Sequence, residues 1–136
     1  MSETLRLEVV TPSRRVLTAR VSEVRIPGVL GELGVLPGHT PLLTSLGTGE
    51  LKWTEEGSER GRLVVQGGFA EVQPDAVTVL ASVAETVDQI DLEAARAAFD
   101  EAQAALRTAS AEDFDAIDAA ARLAGARIDA ATGSGS

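Results

Sequence analysis

The side chains that most often carry out chemistry in proteins are scarce in this sequence. His39 is the only histidine, and neither cysteine nor tyrosine occurs. A lone histidine without a C-x-x-C pair or a G-x-S-x-G serine predicts neither a metal site nor a hydrolase triad. Neighbouring carboxylates such as Glu55 and Glu56 are interpreted as solvated faces. We therefore predict a protein that is not an enzyme and needs no metal, and we interpret His39 as a loop residue at a surface or an interface.

The segment around His39, residues 31–44, has an unusual composition. Its fourteen residues contain three glycines and two prolines, which exclude a helix and interrupt any long strand. They also contain five large aliphatic side chains, which a flexible linker would not carry. The segment therefore predicts a shaped, rigid loop with an apolar contact patch, formed by Leu33, Val35 and Leu36 and rimmed by Glu32 and His39. The alternative is that the loop folds back over the domain as a lid.

The chain on both sides of this loop has the pattern of β-structure. From Leu5 to Val9, apolar residues alternate with charged ones, which is the period of a half-buried strand. Similar short runs recur every eight to twelve residues or so, with turn residues between them, and Gly67-Gly68 is predicted to end one strand and begin another. This spacing predicts an all-β sandwich of about ten short strands over residues 1–87, with Trp53 and Phe69 in its core.

The composition changes towards the C-terminus, where residues 88–136 contain seventeen alanines. Asp91 is a good N-cap for one helix and Ser110 for a second, and apolar residues recur at spacings of three and four after each. The pattern predicts an antiparallel α-helical hairpin over residues 88–131, followed by a disordered tail at 132–136. Because an alanine seam buries little area, we expect the hairpin to be a weakly held, movable arm.

The acidic balance of the chain limits its partners. The net charge is −9, from 21 acidic and 12 basic residues. This balance argues against binding to nucleic-acid phosphates and against docking on anionic lipid. The polar N-terminus predicts no signal peptide, and no apolar run reaches the ~18 residues that a bilayer span needs. We therefore predict no nucleic-acid partner and no direct membrane insertion; at a membrane, another protein would have to hold this one.

Two long motifs resemble the signature of a known family. The first comprises Gly31-Glu32-Leu33-Gly34, Pro37-Gly38-His39 and Pro41-Leu42-Leu43-Thr44, and the second comprises Gly67-Gly68-Phe69-Ala70-Glu71-Val72-Gln73-Pro74 and Val77-Thr78-Val79-Leu80-Ala81. Both are similar to the epsilon subunit of F-type ATP synthase, of the bacterial type. The resemblance runs in order from about Leu5 to Leu106, with a compatible second helix beyond it.

The resemblance implies a non-catalytic subunit of the central stalk, a part of the rotor that couples proton translocation through the c-subunit ring to ATP synthesis. Its sandwich would dock on the gamma subunit and on the c-ring, at the cytoplasmic face of the bacterial inner membrane. The c-ring contact is carried over to Glu32, Leu33 and Gly34. The gamma-subunit contact is carried over to His39 and Thr44.

The resemblance also implies a regulatory role for the hairpin. In bacterial relatives it either lies folded against the sandwich or extends into the alpha/beta catalytic head, where it inhibits ATP hydrolysis. Relatives usually carry several basic residues on the second helix, whereas here only Arg122 and Arg127 remain for a contact with the head. We therefore expect weak inhibition at most.

Some relatives bind ATP as a regulatory ligand through a Leu/Ile-Asp-x-x-Arg-Ala motif at the first helix. In the matching segment here, Glu93 stands for the aspartate and Arg96 for the arginine, and Gln103 replaces a further arginine two turns on. The resemblance thus implies a nucleotide contact at Glu93 and Arg96. The alternative, which we favour, is that Arg96 is a surface arginine that balances Asp100 or Glu93 by helical spacing.

A second hypothesis, of a different class, is a free-standing β-sandwich binding module with a helical oligomerisation arm. Such a module needs a concave site lined with aromatic side chains, and the chain contains one tryptophan, three phenylalanines and no tyrosine. The first hypothesis instead predicts a tight complex with gamma, which changes in residues 31–44 abolish.

Overall fold

The computed structural model describes residues 3–56 and 59–133. Seven strands precede two helices in this part of the chain. The strands are β1 (Leu5–Val10), β2 (Arg15–Gly28), β3 (Gly31–Val35), β4 (Leu42–Ser45), β5 (Thr48–Glu55), β6 (Arg60–Gln73) and β7 (Ala76–Thr86). A 3-10 turn (Val87–Gln89) leads into α1 (Leu92–Leu106) and α2 (Ala111–Thr132). The predicted class, an all-β sandwich followed by a helical hairpin, is confirmed.

The strands form two layers because β2, β6 and β7 each pass from one layer to the other. The strand order is β1-β7-β6-β5-β2-β3, β4 pairs with β6, and a β1–β2 pairing closes the sheet. The open layer, as we call it, contains β1, β4, the first halves of β2 and β7, and the second half of β6. The covered layer contains β3, β5, the second half of β2, the first half of β6 and the end of β7.

The prediction of about ten short strands was wrong in number, because the long strands pass through residues that we took for breaks. The clearest case is the pair Gly67-Gly68, which lies inside the fourteen-residue strand β6. Both glycines have positive φ, 70° and 99°, a region that side chains other than glycine rarely enter. The pair bends β6 between the two layers without ending it.

The prediction of a loop over residues 31–44 was also wrong in part. Its first part, Gly31–Val35, is strand β3, which pairs antiparallel with the end of β2 from Val24 to Gly28. The predicted contact patch is divided: Val35 is fully buried, Leu33 packs against the core, and Leu36 is exposed. Only residues 36–41 form an irregular loop. Gly34 does not interrupt β3, because an edge strand tolerates glycine.

The core lies between the two layers. It contains Leu5, Leu7 and Val9 from β1, as their alternation predicted, together with the inward-facing apolar residues of the other strands. Trp53 is buried as predicted, and its ring lies against the position where Gly61 has no side chain. Phe69 is not in the core, because its side chain is 52% exposed on the outside of the open layer.

Both helices begin at the predicted caps. The Asp91 carboxylate accepts a hydrogen bond from the Ala94 amide at 3.0 Å, and the Ser110 hydroxyl accepts one from the Asp113 amide at 3.2 Å. The buried residues of the two helices are all alanines, namely Ala95 and Ala102 of α1 and Ala121, Ala124 and Ala130 of α2. Helix α2 reaches Thr132, one residue into the predicted tail, and residues 134–136 of that tail lie outside the described residues.

Candidate functional site

The helical hairpin lies against the outer face of the covered layer, and α2 is the helix that contacts β5 and β6. Val64, an outward-facing residue of β6, is fully buried there. Two side chains of β6 donate hydrogen bonds to carbonyl oxygens of α2: Gln66 to Ala119 at 2.8 Å and Arg62 to Ala130 at 3.0 Å. These bonds attach α2 to the sheet through its backbone, because alanine side chains carry no hydrogen-bonding groups.

The strongest polar contact between the two parts joins Arg127 of α2 to Glu85 of β7. Both guanidinium–carboxylate distances are 2.7 Å, and both side chains are less than one-third exposed. The hydrogen bonding to Glu85 raises the pKa of Arg127, against the opposing effect of partial burial. While the Glu85 carboxylate is ionised, Arg127 therefore stabilises the docked hairpin fully below the ordinary arginine pKa, and its contribution is lost as the pH rises through the raised pKa.

We expect Arg127→Ala to release the hairpin, because it removes the bidentate pair and leaves Glu85 without its cation. A loss of about 1–2 kcal/mol is expected for a partly exposed bidentate pair. That loss raises the detached population ~5- to 30-fold. The chain contains no cysteine, so spin labels on cysteines introduced at exposed Thr18 and Ala120 report the distance between sandwich and hairpin.

The matched control is Arg122→Ala, on the same helix. Arg122 pairs with Asp118 at 2.8 Å within α2, its side chain is 69% exposed, and it makes no ion pair with the described residues of the sandwich. The hydrogen bond to Asp118 raises the pKa of Arg122 without tying α2 to a strand. Equal distance distributions for both variants and the parent chain would mean that Glu85 does not hold the hairpin.

The outer face of the open layer carries an apolar surface that is exposed and that neither α1 nor α2 covers. Phe69 of β6 lies directly opposite Leu80 of β7, and the next outward residue of β6 lies opposite Leu43 of β4. The exposed fractions are 67% for Leu43, 52% for Phe69 and 51% for Leu80. Three large exposed apolar side chains on neighbouring strands of one face are typical of a protein contact surface, and we call this set the apolar face.

A second exposed apolar feature is the turn between β2 and β3. Leu30 is fully exposed and Val29 is 63% exposed, although both are large aliphatic residues. The turn is anchored by hydrogen bonds from Val29 to Ser45 at 3.0 Å and from Gly47 to Pro27 at 2.8 Å. We call residues 27–31 the apolar turn. Its backbone is fixed while its side chains are presented to solvent, which suits a firm contact.

A cavity of about 590 Å³ separates the apolar turn from the hairpin. Pro27, Gly28 and Glu32 line it from the sandwich, and Phe99 and Arg122 line it from the two helices. The hairpin therefore lies next to the end of the sandwich at which the sequence motif is concentrated. A movement of the helices would change the surroundings of Glu32.

The residues predicted to contact the c-ring all lie in β3. Glu32 and Gly34 are exposed at this edge strand, and the Glu32 carboxylate lies 3.6 Å from the Arg25 guanidinium. Leu33 is half-buried against the core. The structure thus brings Glu32 and Gly34 to one surface and turns Leu33 away from it.

The residues predicted to contact gamma lie one on each side of the apolar residues Leu42 and Leu43. His39 is in the 36–41 loop, where its Nδ1 lies 2.6 Å from the Thr40 carbonyl oxygen and its amide donates to Leu36. Thr44 is half-buried and alternates with Leu43, so its side chain turns away from the apolar face.

The remaining predicted residues are all on the helices. Glu93 and Arg96 are exposed in the first turns of α1, and neither lines the cavity beside the apolar turn. Arg122 and Arg127, predicted to meet the catalytic head, are each paired with a carboxylate of this chain.

Sequence reasoning missed Leu30 and Leu80, and it assigned Phe69 to the core. A local signal existed for Leu30, since it follows a Pro-Gly pair and precedes a glycine, where strands turn. No such signal marks Phe69 or Leu80. Their exposure follows from the bend at Gly67-Gly68, where the alternation of inward and outward side chains along β6 changes phase, and a local pattern does not encode that change.

Comparison with known proteins gives a consistent result. Residues 4–87 match the family described as "ATP synthase, Delta/Epsilon chain, beta-sandwich domain". The chain is 46% identical over 133 residues to the ATP synthase epsilon chain of Geotalea uraniireducens, covering 96% of each chain. It is 47% identical over 115 residues to the epsilon chain of Geobacter sulfurreducens, covering 85% of this chain and 83% of that one.

Solved structures extend this comparison to the fold. A chain in the cryo-EM structure of the Euglena gracilis mitochondrial ATP synthase (OSCP/F1/c-ring, rotational state 1) superposes with a TM-score of 0.84 at 26% identity, covering 95% of this chain and 81% of that one. A chain from the central stalk and c-ring of the Tetrahymena thermophila mitochondrial ATP synthase is similar in fold, with a TM-score of 0.52 at 16% identity, covering 65% of this chain and 70% of that one.

Sandwich, hairpin and relatives together define a class: a non-catalytic accessory subunit with a role in the rotor of ATP synthase. Relatives of nearly the same length make the family unambiguous. The chain belongs to the family of ATP synthase epsilon chains. This membership replaces the alternative of a free-standing binding module.

Neither described helix combines the length and the apolar character that crossing a membrane requires.

Proposed function

We propose that this chain docks on the gamma subunit of ATP synthase through the apolar face and on the c-ring through the apolar turn. The observation that carries the proposal is that the hairpin covers the outer face of one layer, while the outer face of the other presents Leu43, Phe69 and Leu80 to solvent. A subunit that turns with a rotor needs a permanent contact, and permanent contacts are formed by apolar surfaces of this kind.

The gamma contact proposed for His39 and Thr44 is supported by their position beside the apolar face. Leu43 precedes Thr44 in β4, and β4 pairs with the part of β6 that carries Phe69. The 36–41 loop is tied to the open layer by a hydrogen bond from Gly38 to the Pro74 carbonyl at 2.7 Å. A rigid loop next to an apolar surface adds polar contacts at the rim, as in other protein interfaces.

The c-ring contact proposed for Glu32, Leu33 and Gly34 is supported by the neighbouring apolar turn. Leu30 is fully exposed, whereas Leu33 of β3 is half-buried, so we assign the main apolar contact to Leu30 and a polar contact to Glu32. Leu33 would then support β3 from the core side.

We also propose that the hairpin is the regulatory part, residues 88–131, and the sandwich the docking part, residues 1–87. In the folded arrangement both Arg122 and Arg127 are paired within the chain. A contact with the alpha/beta head would therefore require these pairs to break, which supports weak inhibition.

Binding of ATP at Glu93 and Arg96 stays a prediction, as does the position at the cytoplasmic face of the bacterial inner membrane.

The test is assembly from separated components. We expect the full chain to co-elute with purified gamma subunit, and with gamma bound to detergent-solubilised c-ring. Leu30→Ser should leave the gamma complex intact and weaken retention on the ring about tenfold or more, because burying one leucine contributes ~1.5–3 kcal/mol. Failure of the unmodified chain to bind gamma would contradict the proposal, and so would a Leu30→Ser variant that loses gamma and keeps the ring.

A further inference from the structure

A cavity on the outer face of the covered layer concentrates positive charge. Its volume is about 440 Å³, and its lining includes Arg25, Lys52, Arg60 and Arg62 with one carboxylate, Glu23. The chain as a whole has a net charge of −9 and contains a single lysine, which is the one in this cavity. Four of its twelve basic residues therefore line one small cavity. We call it the basic cavity.

The pairing of three strands brings these cations together. Arg25 of β2 lies directly opposite Lys52 of β5, and Lys52 lies directly opposite Arg62 of β6. Arg60 is two residues from Arg62 and therefore on the same face. Like charges in directly opposite positions of a sheet destabilise it, so the stability of the fold does not account for this row.

The ion pairs that Arg25 and Arg62 make with carboxylates of the chain are long. The Arg62–Glu50, Arg25–Glu32 and Arg25–Glu23 contacts are 3.4, 3.6 and 3.8 Å. Good charge-assisted hydrogen bonds measure ~2.7–2.9 Å, as the Arg127–Glu85 pair does. Among the described residues, Arg60 makes no ion pair.

We propose that the basic cavity binds a multivalent oxyanion of the phosphate type. Guanidinium groups match the oxygens of such an anion in pairs, and the ammonium of Lys52 adds a point charge. A bound oxyanion would relieve the repulsion along the row Arg25–Lys52–Arg62. The site lies apart from the apolar face and from Glu93 and Arg96, it adjoins the proposed c-ring contact only through the Arg25–Glu32 pair and Lys52, and it goes beyond the role in the rotor.

The basic cavity also shares a group with the docked hairpin. Arg62 lines the cavity and donates to the Ala130 carbonyl in the last turn of α2. A substitution of Arg62 would therefore disturb both. Arg60 has no such second role in the described structure, so a change at Arg60 tests the anion site alone.

The single lysine gives a direct reporter of binding. Reductive methylation with ¹³C-formaldehyde labels only Lys52 and the N-terminal amine of the full chain and keeps both charges. The test is to titrate the labelled protein with tripolyphosphate, with inorganic phosphate and with ATP. The ionic strength is about 150 mM, where weak attraction between the anion and exposed surface charges is screened. We expect a saturable shift of the Lys52 signal, similar for tripolyphosphate and ATP and weaker for inorganic phosphate.

Arg60→Gln should weaken tripolyphosphate binding about tenfold, because it removes one hydrogen bond between charged groups. Arg60→Lys should recover most of it. The matched control is Arg20→Gln, an exposed arginine of β2 in the open layer, which should change the affinity less than about twofold.

Three results would overturn the proposal. The first is no saturable shift of Lys52 up to about 10 mM tripolyphosphate. The second is binding of ATP without binding of tripolyphosphate, which would indicate recognition of the base. The third is an equal loss in Arg20→Gln and Arg60→Gln, which would indicate attraction by net charge alone. Each readout uses the isolated chain and is independent of binding to gamma.

Discussion

Replacing Phe69 by serine is expected to weaken the complex with the gamma subunit ~30- to 150-fold while the fold stays intact. Phe69 is 52% exposed and lies between Leu43 and Leu80 on the apolar face. A central aromatic residue of an interface typically contributes ~2–3 kcal/mol to binding. The folded state should tolerate the change, because an exposed side chain of a strand adds little packing. Isothermal titration with purified gamma measures the affinity, and thermal melting checks the fold.

The chain offers a matched control in Phe114→Ser. Phe114 is 45% exposed, similar to Phe69, but it lies on α2 of the hairpin and away from the apolar face. We expect it to bind gamma within about twofold of the unmodified chain, because a surface change outside the contact leaves the binding energy unchanged. A Phe69→Ser variant that binds as tightly as Phe114→Ser would show that gamma uses another surface.

Gly68→Ala is expected to destabilise the folded sandwich more than any other single methyl group added to a glycine. An added Cβ would lie 1.9 Å from the Leu80 carbonyl oxygen, which is backbone and has no room to move, and the φ of Gly68 is +99°. Strain in this region and the close contact together are expected to lower the free energy of unfolding by about 3–5 kcal/mol. Since domains are stable by only ~5–15 kcal/mol, chemical denaturation should show a large shift of the midpoint.

The control for this prediction is Gly34→Ala. An added Cβ at Gly34 meets no atom within 4 Å, and its φ lies outside the positive region. We expect an effect within about 0.5 kcal/mol, as for an ordinary surface substitution. Equal midpoints for Gly34→Ala and Gly68→Ala would contradict the bend of β6 at Gly67-Gly68 as described. The same bend places Phe69 and Leu80 outside, so the two predictions test one feature of the fold by stability and by binding.

Much of the architecture was predictable from local sequence. Asp91 and Ser110 mark the helix starts because their side-chain oxygens bind free amides one turn on, a short-range interaction. The alternation of Leu5, Leu7 and Val9 predicted an inward face because side chains of a strand point alternately to its two sides. The motif of residues 31–44 and the second motif were enough for the resemblance to the family that the comparisons show.

The location of the candidate contact surfaces was less predictable. Gly67-Gly68 looked like a strand break, and its actual effect is to shift which residues of β6 face outward. Phe69 was therefore assigned to the core, although its amino-acid type is equally compatible with either face. Leu33 was assigned to an exposed patch because the pairing of β3 with β2 is not visible in either strand alone.

The fold class, the helix caps, the acidic character and the family were predictable from the residues alone, because they depend on composition and on residues close together in the chain. The number of strands, the apolar residues that face outward and the charges that meet were evident only in the folded chain. Arg127 and Glu85 are 42 residues apart, and the row Arg25–Lys52–Arg62 joins three strands. The physical reason is that the pairing of strands and the bend at Gly67-Gly68 set the direction of the side chains beyond them, and both are decided by contacts between distant segments.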